Sequence, residues 1–373
     1  MIRVKQIAVD ALEIKTLSDW RSLAAKSCSA NPFYESWFML PAMRRYKKAD
    51  GPQMLFFYSN IPGLPEQPVA FIPLRRVRRF KGLPVRGVEL WRDQHTYYCE
   101  PLCRAGFEQR VVEAFYGWLK TRGLSLMRWH NINPEGSFSF ELVKYSRRMK
   151  LKSYNESFKR AAFLPAAHRG YPLDTLSAKR RRNIQSRRRQ LEELGGLTVV
   201  TNIVPDRNWF NQFVAVEKRS WKGEAGTAIL CDPVEYKILA NTISEAKTSG
   251  ALRSAAIYFD GRMIAGCLYF RVAKSCFYFK TAYDPRFKKY APGIMLDIEL
   301  LKSVSNDREL QFIDSCASPA DARVNELWPD RRRIETLVTE SKQLYGSLLL
   351  DTIAPVHKRI KNRFYRNPEY WRE

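Results

Sequence analysis

An aromatic run leads into a cluster of cations and then into a proline–glycine pair. Cys276-Phe277-Tyr278-Phe279-Lys280-Thr281-Ala282-Tyr283 alternates as a strand does. Asp284-Pro285 ends it, because proline brings no N–H to a ladder. Arg286, Lys288 and Lys289 follow, and Pro292-Gly293 opens a helix with Ile294, Ile298 and Leu301 on one face and Met295 and Leu300 beside them. Leu310 to Asp314 reads as the next strand. The chemistry of this order is anion binding. A helix start offers free N–H groups and the positive end of a dipole. Glycine lets the backbone approach a phosphate with no Cβ in the way. The candidate cofactor-binding residues are Arg286, Lys288, Lys289, Pro292, Gly293 and Ile294.

A second concentration of charge lies upstream. Lys179, Arg180, Arg181, Arg182, Arg187, Arg188 and Arg189 put seven cations in eleven positions, with Ser177 placed to cap their helix. Like charges at helical spacing repel, so an anionic partner is expected at Lys179–Arg189. An acidic substrate, RNA or the phosphates of a cofactor would each fit, and a solvated helix face is the plain alternative. His95, Cys99 and Cys103 have metal-like spacing, but Pro101 argues against a helix and a fourth ligand is lacking. Two inert thiols in a buried loop are expected there, and no metal. There is no G-x-S-x-G elbow, P-loop or dinucleotide-binding glycine fingerprint.

Three stretches, in order, carry a family resemblance. Leu176-Ser177 to Leu191-Glu192 is a basic helix. Glu217-Lys218-Arg219-Ser220-Trp221-Lys222-Gly223 with Gly226-Thr227-Ala228-Ile229 is similar to an "S-W-K-G … G-T-A-I" signature. Ala282-Tyr283-Asp284-Pro285-Arg286-Phe287 with Tyr290-Ala291-Pro292-Gly293 resembles a "Y-D-x-x-F … Y-S-P-G" run, Ala291 standing for the usual serine. Together they resemble the acetyltransferase-like family typified by the cellulose-biosynthesis protein CelD, a branch of the GNAT superfamily related to the FemABX transferases. Asn31-Pro32-Phe33 with Trp37 is a fourth, weaker match near the start.

The resemblance implies N-acyl transfer from acetyl-CoA or another acyl-CoA to an amine acceptor, a small molecule or an amino sugar, in polysaccharide or envelope biosynthesis. In such a transfer the amine itself attacks. The protein must bind both partners, stabilise the oxyanion and accept a proton. Asp314, Glu217, Tyr283 and Tyr290 are the candidates for the chemical step. Trp221, Arg181, Arg182 and His95 are the candidates for the acceptor. A Tyr-Lys pair common in the resembled family, after the strand ending in Asp, has no counterpart between Ser315 and Trp328. That departure keeps two rivals open: a Fem-like transferase using aminoacyl-tRNA, and a non-catalytic GNAT-like binding module.

The chain has 373 residues and a net charge of +25. Such a balance calls for acidic company, whether nucleic acid, an anionic membrane surface or phosphorylated ligands. No apolar run approaches the ~20 residues of a membrane span, and Met1 to Gln6 lacks the layout of a signal peptide. The seven cysteines are odd in number and scattered, as suits reduced thiols. A cytoplasmic location is expected.

Each half of the chain shows a hairpin, then a helix, then a strand ending in a polar residue. The expected fold is therefore α+β, with two tandem GNAT-like units of mixed sheets flanked by helices. Residues 1–168 would form the acceptor side and 169–373 the acyl-CoA side, with the boundary near Pro165 to Asp174. In the first half, Gly106 is the nearest counterpart of Gly293, but Glu108 follows it and disfavours phosphate, so one cofactor per chain is expected. The tail carries a helical stripe of Leu344, Leu348, Leu349, Ile353, His357 and Ile360, then a basic aromatic end at Arg363 to Arg366.

Overall fold

The computed structural model describes residues 2–45, 51–60, 66–167, 176–341 and 350. The tail stripe and the basic aromatic end lie outside the described residues, as does most of the expected boundary segment. The chain forms two compact units. The first comprises residues 1–36, 43–158 and 333–373, and the second comprises 37–42 and 159–332.

The first unit starts with strand β1 (Ile2–Ile7) and helix α1 (Ile14–Ala25), after which the chain forms helix α2 (Ser36–Met43). Strands β2 (Gln53–Ser59), β3 (Gln67–Phe80) and β4 (Leu83–Leu90) follow, with the short β5 (Leu102–Cys103) paired to β3. Helix α3 (Glu108–Thr121) leads to β6 (Leu126–Ile132), and α4 (Ser137–Arg148) leads to β7 (Ser153–Phe163). β1 to β4 run antiparallel in sequence order, while β4 and β6 are parallel. The crossover through α3 is what makes a parallel pair possible. α3 has its apolar side on Val111, Val112, Phe115 and Leu119, all buried, at the spacing of one helix face.

The second unit repeats the order. Helix α5 (Ala178–Glu192) precedes β8 (Leu197–Ile203), and helices α6 (Arg207–Arg219), α7 (Trp221–Glu224) and α8 (Pro233–Thr248) follow. Strands β9 (Leu252–Phe259), β10 (Arg262–Val272) and β11 (Ser275–Tyr283) run antiparallel from β8. Asp260 and Gly261, both at positive φ, make the β9–β10 turn, the type I′ chemistry that suits a twisted hairpin. Helix α9 (Pro292–Ser305) crosses to β12 (Phe312–Asp314), which is parallel to β11. Helix α10 (Ala322–Leu327) and strand β13 (Asp330–Glu340) complete the chain. The tandem α+β architecture expected from the pattern of the halves is the architecture observed.

The assignment of segments differs from a single cut near residue 168. β13 follows the second unit in sequence, yet Glu335 to Glu340 pair with β6 of the first unit. β7 follows the first unit's helices, yet Ala162 and Phe163 pair with β12 of the second. Residues 37–42 also belong to the second unit. Trp37 and Phe38 meet Phe270 at 5.0 and 5.8 Å between ring centroids, and Phe38 meets Phe279 at 5.7 Å. Apolar burial decides this placement: all four rings are buried.

Candidate anion site at the start of helix α9

β11 and β12 pair only from Ser275–Phe312 to Phe277–Asp314. β11 continues to Tyr283 on the other side, paired with β10. β12 ends at Asp314, opposite Phe277, and β11 extends past that end towards the turn that starts α9. That turn is built tightly. Asp284 caps the 3-10 segment Pro285–Tyr290, accepting from the Arg286 N–H at 3.1 Å. Ala291 then takes a left-handed conformation at φ 54° and serves as N-cap of α9. A β-carbon in that region costs about 1 kcal/mol or more, and the reward is a sharp entry into a helix with Pro292 in its first turn, where proline fits.

The sequence-derived residues of this stretch come together. Gly293 is buried, and a Cβ placed on it would lie 3.4 Å from Cδ1 of Tyr283. Tyr290 is buried, with the Lys289 ammonium 4.8 Å from its ring centroid. Lys288 and Lys289 are exposed, and Ile294 is half-buried against the core. Arg286 is committed elsewhere. Its Nε and Nη2 donate to the two oxygens of Asp284 at 3.0 and 2.7 Å, and Arg219 donates to the same carboxylate at 3.2 Å. The Arg286 guanidinium holds the Asp284 carboxyl below its usual range. The loop is thus cross-linked to the end of α6. α5 packs against the 3-10 segment, bringing its cations to the same turn. Arg180 pairs with Glu326, and Arg188 with Glu192 and Glu299. Arg181 is half-buried, while Arg182 is exposed and donates to Ala178 O at 3.4 Å.

The two candidate carboxylates are engaged in structure. Asp314 is fully buried; its Oδ2 accepts from Arg332 at 2.6 Å and lies 3.6 Å from Arg160, and its Oδ1 accepts from the Cys316 N–H at 2.8 Å. Glu217, also buried, accepts from Lys222 Nζ at 3.0 Å and from the Ile229 N–H at 2.9 Å. Lys222 donates in addition to the Thr281 carbonyl at 2.9 Å, tying the turn after α6 to β11. This explains the local signature. Ser220 caps α7 by accepting from the Lys222 N–H, and Gly223 must be glycine because a Cβ there would sit 1.8 Å from the Lys218 carbonyl oxygen. Trp221, at the head of this turn, is 61 % exposed. His95 lies in the first unit, where its backbone N–H donates to Asp93 Oδ1 at 2.9 Å.

One buried cluster escaped sequence reasoning. Asp297, on the first turns of α9, accepts from the Tyr278 hydroxyl at 2.7 Å and is paired with Arg323 of α10. Burial pushes its carboxyl above the usual range. An acid among the apolar residues of a helix start was the available signal. The cysteines are all free thiols, and no group of three potential metal ligands occurs among the described residues.

Comparison with known proteins gives a family match within the second unit and a fold match over most of the chain. Residues 178–321 match the acetyltransferase (GNAT) domain. The whole chain shares the fold of FemX, with a TM-score of 0.56 at 8% identity, covering 94% of this chain and 100% of that one. It also resembles a conserved protein of unknown function from Bacteroides thetaiotaomicron, with a TM-score of 0.53 at 9% identity, covering 91% and 100%. A tandem GNAT protein from the clavulanic acid biosynthesis pathway gives 0.44 at 13% identity, covering 92% and 99%. No curated protein matches the chain. Both the basic helix α5 and the α9 turn fall inside the GNAT domain, and Arg332 and β13 lie beyond it.

Proposed function

We propose that the GNAT domain transfers an acetyl or longer acyl group from acyl-CoA to an amine, as in the CelD-type resemblance. The observation that carries this reading is the α9 turn: Ala291, Pro292 and Gly293 open a helix beside exposed Lys288 and Lys289. Its backbone N–H groups and the helix dipole suit a pyrophosphate. The stretch of β11 beyond Phe277 suits the extended, amide-bearing arm of the same molecule, since a strand edge pairs with main-chain-like groups.

In the transfer, the acceptor nitrogen forms a bond to the thioester carbonyl carbon and the carbon–sulfur bond breaks. The proton shed by nitrogen passes through solvent to the leaving sulfur. The chain's part is positioning and charge. Tyr283 forms a wall of the phosphate site, and Tyr290 holds the turn from inside. Asp314 and Glu217 act by holding β12 and the turn after α6. The first unit carries the acceptor side, one acyl-CoA binding per chain.

Isothermal titration calorimetry of the full chain with acetyl-CoA and longer acyl-CoAs tests the reading. Saturable binding at one site per chain is expected; no heat, or two sites, overturns it. Aminoacyl-tRNA as the acyl donor is the second reading, favoured by the cations of α5. Salt-sensitive tRNA binding without acyl-CoA binding would select it.

A further inference from the structure

The first unit holds a cleft of about 340 Å³ beside the C-terminal end of α3. Arg76 and Arg78 reach it from β3, Arg86 from β4 and Arg122 from the C-cap of α3. All four are exposed. No aspartate or glutamate lines the cleft, and none of the four makes an ion pair among the described residues. Their neighbours behave differently. Arg3, Arg75, Arg128 and Arg148 of the same unit are paired with Glu66, Glu89, Glu89 and Glu113. Gln6 and Gln53 add amide donors. Trp118 supplies an apolar wall, with the Arg122 guanidinium 5.9 Å from its ring centroid. The Arg86 guanidinium lies 3.8 Å from where a Cβ on Gly123 would be, and Gly123 has φ +60°. That arginine thus lies within van der Waals reach of the turn that ends α3.

Like charges gathered in a recess repel one another, and a recess with low-dielectric walls strengthens their field. Guanidinium groups match phosphate oxygens with paired N–H donors. The small volume and the confinement of the four arginines to one recess favour a compact ligand over an extended nucleic-acid backbone. We propose that this cleft binds a compact polyphosphate group, meaning a small molecule with linked phosphates. The proposal stands whether or not the second unit binds acyl-CoA.

The test is calorimetric titration of the full chain with inorganic tripolyphosphate. Three proteins are compared: wild type, the Arg76→Gln/Arg86→Gln variant, and the Lys288→Gln/Lys289→Gln variant of the α9 turn. Circular dichroism checks that each is folded; the substituted side chains are exposed. Saturable binding is expected, weakened about tenfold or more by the first pair of substitutions and retained in the second. Four outcomes overturn the proposal: no saturable binding, equal affinity in the Arg76→Gln/Arg86→Gln variant, loss only in the Lys288→Gln/Lys289→Gln variant, or comparable loss in both. Tighter, Arg76- and Arg86-dependent binding of a single-stranded RNA oligomer would also overturn it, in favour of a nucleic-acid surface.

Discussion

The ring of Tyr283 lies against Gly293, close enough that a Cβ on the glycine would stand 3.4 Å from Cδ1 of the ring. The last residue of β11 thereby closes one side of the first turn of α9. Gly293→Val would place branched carbons in that contact and over the N–H groups behind it. Acetyl-CoA affinity measured by calorimetry is expected to fall at least tenfold, about 1.4 kcal/mol. Thermal stability is expected to drop by about 1–3 kcal/mol through overpacking. Unchanged affinity in a folded variant would remove the turn from the site.

Gly223 has no room for a side chain, its missing Cβ overlapping the Lys218 carbonyl. Gly223→Ala is expected to destabilise the second unit by about 1–3 kcal/mol or more, because the obstacle is backbone and cannot rotate away. Urea unfolding would register this as a lower midpoint with an unchanged slope. A midpoint equal to wild type would mean that the turn after α6 relaxes freely.

Asp297 is a buried carboxylate held by Arg323 and the Tyr278 hydroxyl. Asp297→Ala would strand a guanidinium and a hydroxyl together, at a cost of about 3–5 kcal/mol. Asp297→Asn, which keeps an acceptor, is expected to cost less. Equal losses for the two variants, read by denaturation, would show that charge rather than hydrogen bonding holds the cluster.

In the first unit, Glu89 accepts from His130 Nε2 at 2.9 Å and from Arg128 at 3.1 Å, and it is paired with Arg75. Burial alone would raise its carboxyl, but the bonds from His130 and Arg75 outweigh it and lower it to about 2. Burial, helped by the nearby Arg92, pulls His130 below its usual range in spite of Glu89. Both shifts act in one direction. The unfolded chain takes up protons before the folded one, so stability is full above about pH 6.5 and falls on acidification. The His130 contribution goes first, as pH drops below about 6.5. That of Glu89 follows between about 4 and 2. His130→Gln, measured by urea unfolding between pH 7.5 and 5, is expected to flatten the first part of this slope. An unchanged slope would place the sensitivity on other groups.

Much of the second unit was legible because its signals are local. Asp260-Gly261 marks a hairpin, Pro292-Gly293 marks a helix start, and Ser177 marks the cap of α5, where its side chain accepts from the Arg180 N–H. The repeat of hairpin, helix and strand was legible for the same reason. What stayed hidden depends on partners far apart in sequence. Asp314 reads in the sequence as a base at a strand end, and its pairing with Arg160 and Arg332 is not legible there. Arg286 reads as a phosphate ligand, and its pairing with an Asp284 that Arg219 shares is not legible there. Nothing local in Asp330 to Glu340 says which sheet receives it.

The exchange of β7 and β13 bears on how the protein is made. The place beside β6 waits for residues 335–340, which leave the ribosome after almost all of the second unit. The core of the second unit draws on residues 37–42, which are synthesised among the first. Translation therefore cannot finish one half and move on. Any fragment obtained by a single break, such as one beginning at Leu173, takes with it only part of a sheet and leaves the other unit short of an edge. A piece expected to fold must hold both residues 37–42 and residues 335–340.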